Sequence, residues 1–152
     1  MLVYVIDGFN VIHKINQLRN SNNPHLGLIR YLQAYELTGS RNNRVIIVFD
    51  GGPNRDAIRE KGSFEVFFSQ DQSADDLIKV KLSQFKRTSE VVVVSDDREI
   101  RNAAKKFGAR ICRTADFLLK VKKQKSNKEG SKEISYVLQH EITEELRKIW
   151  GL

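Results

Sequence analysis

Short, unbroken apolar runs alternate along this chain with longer amphipathic stretches, and few folds accommodate that pattern. Five runs read as strands: Leu2 to Ile6, Val45 to Phe49, Phe64 to Phe68, Val91 to Val94 and Ala109 to Arg113. The first, second and fourth contain only Val, Ile, Leu, Tyr or Phe, as expected of parallel strands covered by helices on both faces. Glu65 and the two Arg of the last run fit strands nearer the sheet edges. Between them, apolar residues recur at helical spacing in Leu26 to Leu37, Ala74 to Phe85, Arg98 to Phe107 and Ile134 to Trp150. Gly39 and Gly108 stand where helix ends favour a left-handed residue. The pattern predicts an α/β fold built from βα units on a parallel sheet. Asn16 to Asn23 reads as a polar loop and Lys120 to Lys132 as a basic one. Trp150 is expected to anchor the last helix.

At 152 residues the chain has the length of one domain, so residues 1–152 are read as a single unit. Its lone cysteine, Cys112, forms no internal disulfide or Cys-based zinc site, and its strand context suggests a small buried residue. Met1 to Ile6 and Val45 to Phe49 are far shorter than the roughly 20 residues that span a bilayer. A reducing, cytoplasmic compartment is the expectation, with no membrane partner.

The formal net charge is +7, and it is unevenly placed. Leu77 to Lys132 holds 16 basic and six acidic residues, while the remainder is net acidic. Such a basic stretch suits a polyanion, because each Lys or Arg that neutralises a phosphate releases counterions. Arg98, Arg101, Lys105, Lys120, Lys122, Lys123 and Lys125 are the candidate phosphate contacts. Phe9 is the candidate for stacking an unpaired base; Phe64, Phe67, Phe68, Phe85 and Phe107 fall in strand or helix patterns and are expected in the core.

Against this basic background, acids collect where a parallel sheet opens its ligand crevice, beyond the carboxyl ends of the strands. The first strand runs into Asp7, the second into Asp50 and the fourth into Asp96-Asp97; Asp75-Asp76 opens the helix after the third. Carboxylates brought together repel and raise one another's pKa, and a hard cation such as Mg2+ or Mn2+ is the simplest neutraliser. The chemistry that follows is metal-assisted phosphodiester hydrolysis. Each acid also has a structural alternative. Asp7-Gly8 and Asp50-Gly51-Gly52 are turn chemistry, and Ser73-Ala74-Asp75-Asp76 and Asp96-Asp97 are helix-capping patterns. Gly-x-Gly-x-x-Gly, Walker A and Gly-x-Ser-x-Gly sequences are absent, and the three His lack metal-ligand spacing. A haloacid-dehalogenase-like phosphatase would need an acid where Phe9 stands, and a phosphoaspartate receiver would need an acid pair where Asp7 stands alone.

The segments Asp7-Gly8-Phe9-Asn10-Val11-Ile12, Val48-Phe49-Asp50-Gly51, Ser73-Ala74-Asp75-Asp76 and Val94-Ser95-Asp96-Asp97-Arg98-Glu99 resemble, in this order, the motifs of the YacP-like branch of NYN domains, relatives of PIN-domain ribonucleases. The resemblance covers nearly the whole chain. It implies a PIN-like three-layer α/β/α fold, a five-stranded parallel sheet in order 3-2-1-4-5, an acidic Mg2+ site and endonucleolytic cleavage of RNA. Bacterial members include a ribosome-associated endonuclease that cuts mRNA, which makes the ribosome a candidate partner. Carried over by position, Asp7, Asp50 and Asp75 match the metal-binding acids and Asn10 the polar residue after the first. At the fourth site one alignment selects Asp97 and the other Asp96; Asp97 is preferred, with Asp76 and Glu99 as outer groups. The expected protein is a monomeric, metal-dependent endoribonuclease. The alternative is an RNA- or ribosome-binding module without catalytic activity.

Overall fold

A computed structural model describes residues 1–39 and 42–119. The basic loop expected from Lys120 and the final helix expected to Trp150 lie outside these residues, as do Lys120, Lys122, Lys123 and Lys125. In chain order the elements are β1 (Val3–Asp7), α1 (Gly8–Lys14), α2 (Asn16–Arg19), α3 (Pro24–Tyr35), β2 (Arg44–Phe49), α4 (Arg55–Glu60), β3 (Glu65–Phe68), α5 (Ala74–Gln84), β4 (Val91–Val94), α6 (Arg98–Phe107) and β5 (Arg110–Cys112). The sheet is parallel throughout, in order β3-β2-β1-β4-β5. The predicted fold class and strand order are therefore those observed.

Alternation along the strands divides the core in two. Tyr4, Ile6, Val45, Ile47 and Phe49 face α1 and α3, joined there by Phe117 from the helical segment 114–119. Val3, Val5, Ile46, Val48, Val91 and Val93 pack against Ile78 and Leu82 of α5 and Ile100 and Ala104 of α6. This double coverage explains the unbroken apolar runs of β1, β2 and β4.

Three helices go beyond the sequence expectation. The Asp7-Gly8 step is the start of α1 rather than a turn, because the strand passes straight into the helix with Asp7 as its N-cap. The polar Asn16–Asn23 stretch contains α2, and α4 is capped by Asn54, whose side chain accepts a bond from the Ala57 amide. α3 starts at Pro24, a residue suited to the first helical position, with the Asn23 side chain accepting from the Leu26 amide. It ends on left-handed Glu36, ahead of Gly39. α6 has the expected bounds, with Gly108 left-handed at its C-cap. Phe107, expected in the core, is 38% exposed: it is the last residue of α6 and lies at the rim of the face that Ile100 and Ala104 bury. Cys112 is half-buried rather than enclosed, as its strand lies at the sheet edge.

Candidate active site

Gly8 sets how closely the first acid approaches the second strand. A Cβ at this position would lie 2.5 Å from Cδ1 of Phe49 and 3.0 Å from the Val48 carbonyl oxygen. Phe49 is fully buried and has no room to retreat. The missing side chain thus lets α1 begin against β2, with Asp7 and Asp50 at neighbouring strand ends.

Two serines hold those acids, each from the end of an adjacent strand. Ser95 Oγ donates to Asp7 Oδ2 at 3.1 Å and accepts from the Asp97 amide at 3.0 Å. Ser69 Oγ donates to Asp50 Oδ1 at 2.9 Å and accepts from the Gly51 amide at 3.0 Å. Gly51 has φ of 95°, a conformation that favours glycine, and this turn brings its amide to Ser69. The Asn10 amide donates to Asp7 Oδ2 at 2.6 Å while its carbonyl oxygen accepts from the Asp96 backbone at 3.2 Å. Asn10 thereby ties the start of α1 to the end of β4.

Asp7, Asp50 and Asp75 line one cleft of about 500 Å³, walled by Phe9, Asn10 and His13. Asp75 is also shared with a second grouping, in which it, Asp97 and Glu99 each offer an oxygen within 4.8 Å of the others. Asp97 is the N-cap of α6 as well, with Oδ1 accepting from the Glu99 and Ile100 amides at 2.8 and 3.2 Å. Asp96 points elsewhere. Its Oδ1 accepts from the Thr114 amide at 3.0 Å, and its Oδ2 lies 4.0 Å from Lys14 Nζ. The two adjacent aspartates have separate surroundings, and it is Asp97 that stands beside Asp75.

The electrostatics match the crowding. Burial, reinforced by the charges of Asp75 and Asp97, pushes Asp7 up to about 6 despite the bonds from Ser95 and Asn10. Asp75 is also raised, first by burial and then by Asp97 and Glu99. Lys79 partly offsets the second group, its Nζ lying 2.8 Å from Glu99 Oε1. A site of carboxylate oxygens with too little internal positive charge is a fitting donor set for a hard divalent cation.

Phe9 is half-buried and packs edge-on against His25 and Phe49, at centroid distances of 5.4 and 6.3 Å. Burial lowers the His25 pKa, which favours the neutral form of that ring. Arg98 and Lys105 are exposed on α6, while Arg101 is half-buried and its Nε has no hydrogen-bond partner among the described residues. Sequence reasoning missed Ser95, Ser69 and His13. The two serines did leave a signal: each directly follows the last apolar residue of its strand.

The family model of the YacP-like NYN domain matches residues 4–150. The chain belongs to the YacP-like NYN domain family. In this family setting, the five-stranded order is that of a PIN-like nuclease fold with an acidic cluster at its strand ends. A crystal structure of a tryptophan-to-leucine variant of Rae1 (YacP) from Bacillus subtilis is similar, with a TM-score of 0.67 and 23% identity over 98% of this chain and 92% of that one. A second structure of Rae1 (YacP) from the same organism gives a TM-score of 0.67 and 21% identity, covering 96% and 87%. At these identities the likeness is one of fold. No curated protein matches the sequence.

Proposed function

We propose that this YacP-like NYN domain is a Mg2+- or Mn2+-dependent endoribonuclease acting on single-stranded RNA, with mRNA on the ribosome as a candidate substrate in the cytoplasm. The observation that carries the reading is the sharing of Asp75 between the Asp7–Asp50 cleft and the Asp97–Glu99 group. Asp7, Asp50, Asp75 and Asp97 would hold the cation directly or through water. When bound, the ion would activate water and stabilise charge on the attacking and leaving oxygens. Ser95 and Ser69 fix the Asp7 and Asp50 carboxylates before substrate arrives, and Asn10 orders the Asp7 side of the cleft. Arg98, Arg101 and Lys105, with the basic residues after 119, would hold the phosphate backbone. The protein would act as a monomer.

The rival is an RNA- or ribosome-binding module that does not cleave, and the Lys79–Glu99 ion pair favours it by supplying internal neutralisation. Wild type and Asp7→Asn, incubated with labelled single-stranded RNA in Mg2+, Mn2+ or EDTA, with and without translating ribosomes, separate the two. Cleavage by wild type alone, and only with metal, is expected. RNA binding by both proteins without cleavage under any condition would favour the module.

A further inference from the structure

α6 carries more than the stripe formed by Arg98, Arg101 and Lys105. About 100° per residue separates that stripe from a second flank, which faces α5. There Glu99, Asn102, Ala103, Lys106 and Phe107 join Lys79 to line a groove of about 670 Å³. Glu99 belongs both to this groove and to the carboxylate group with Asp75 and Asp97, so groove and acid site are continuous. Phe107 lies at the far end, eight residues or roughly 12 Å along the helix, with 38% of its surface in solvent. The groove therefore presents a cation beside the acids, an amide, a second cation and then an exposed aromatic ring.

That sequence of groups suits a strand with phosphates on one side and unpaired bases on the other. Lys106 is exposed and supplies positive charge where Lys79 is already paired with Glu99. Phe107 gives a base a ring face without requiring a particular base. We infer that the α5–α6 groove is a subsite for single-stranded RNA flanking the bond at the acid site, with Lys106 contacting phosphate and Phe107 stacking a base. This rests on the nuclease reading for the position of the scissile bond, but not for binding itself.

Fluorescence anisotropy in EDTA, which prevents metal-dependent cleavage, tests the subsite with labelled RNAs of about 16 and about 4 nucleotides. Phe107→Ala is expected to weaken the longer RNA about 10-fold, within the range of losing one stacked base, and to leave the shorter one little changed. Lys106→Glu should weaken the longer RNA and flatten its salt dependence, whereas Lys86→Glu, the same charge change outside the groove, should do much less. Both groove positions are exposed, so melting temperatures should match wild type. Wild-type affinity in Phe107→Ala would overturn the subsite, as would loss of ribosome capture without loss of RNA affinity, which would mark a protein-binding surface instead. Phe107-dependent RNA binding by a protein that never cleaves would uphold the groove and overturn the nuclease reading. Cleavage with no dependence on Phe107 would do the reverse.

Discussion

Ser95 Oγ stands between Asp7 and Asp97, donating to the carboxylate of one and accepting from the backbone amide of the other. One fully buried hydroxyl therefore aligns the end of β1 with the start of α6. Ser95→Ala strips Asp7 of a donor and leaves the Asp97 amide without this acceptor, at a cost of about 1–3 kcal/mol. Losing a bond that favours the charged carboxylate also raises the Asp7 pKa further. The rising limb of the cleavage pH profile should shift to higher pH in Ser95→Ala, with urea unfolding recording the stability loss.

Asp7 gives the metal-free protein a definite pH dependence. The unfolded chain keeps this carboxyl at its ordinary value, whereas the folded protein raises it to about 6. Between those values the folded state binds more protons, so stability falls as pH rises through the window, by up to about 3 kcal/mol. Asp7→Asn has no such loss. Urea unfolding in EDTA at about pH 4 and about pH 7.5 should show the variant gaining on wild type as pH rises, and added Mg2+ should narrow the gap by stabilising wild type. A gap that does not change with pH would remove Asp7 as the cause.

The Asp96-Asp97 pair permits a clean separation of capping from charge. Asparagine caps helices about as well as aspartate, so Asp97→Asn should keep its melting temperature while losing Mg2+ affinity. Asp96→Asn should retain Mg2+ affinity, because its side chain serves the Thr114 amide and Lys14. Calorimetric titration with Mg2+ checks both, and the reverse pattern would exchange their roles.

Gly8→Ala drives a Cβ into the Phe49 ring and should cost about 1–3 kcal/mol through overpacking. Gly52→Ala is the control, since a Cβ there meets nothing within 4 Å. Thermal unfolding of both variants is the measurement; equal melting points would show that the Phe49 contact does not restrict this position.

The strands and α6 were legible because burial on two faces writes itself as an unbroken Val and Ile run, and because Asp97 and Gly108 punctuate the helix. The sheet order came from family resemblance, since apolar periodicity carries no information about neighbours. α1 was obscured because Asp-Gly is ordinary turn chemistry, and only the distance from Gly8 to Phe49 reveals that the glycine is there for close approach. The acids Asp7, Asp50, Asp75 and Asp97 were visible as strand-end and helix-start residues. The serines that orient two of them were not singled out, because a hydroxyl gains its meaning from a partner up to 88 residues away. Phe107 misled for a related reason: helical period alone does not tell the rim of an apolar face from its centre.

The Asp96 side chain also ties distant parts of the chain into one mechanical line. Asp7 accepts from Asn10, Asn10 accepts from the Asp96 backbone, and Asp96 in turn accepts from the Thr114 amide at the head of segment 114–119. Two chemically identical neighbours have thus taken up different trades, one facing the acids and the other mooring the polypeptide that leads out of the sheet. The two positions consequently do not substitute for one another, and a strain applied at Thr114 has a hydrogen-bonded route to Asp7.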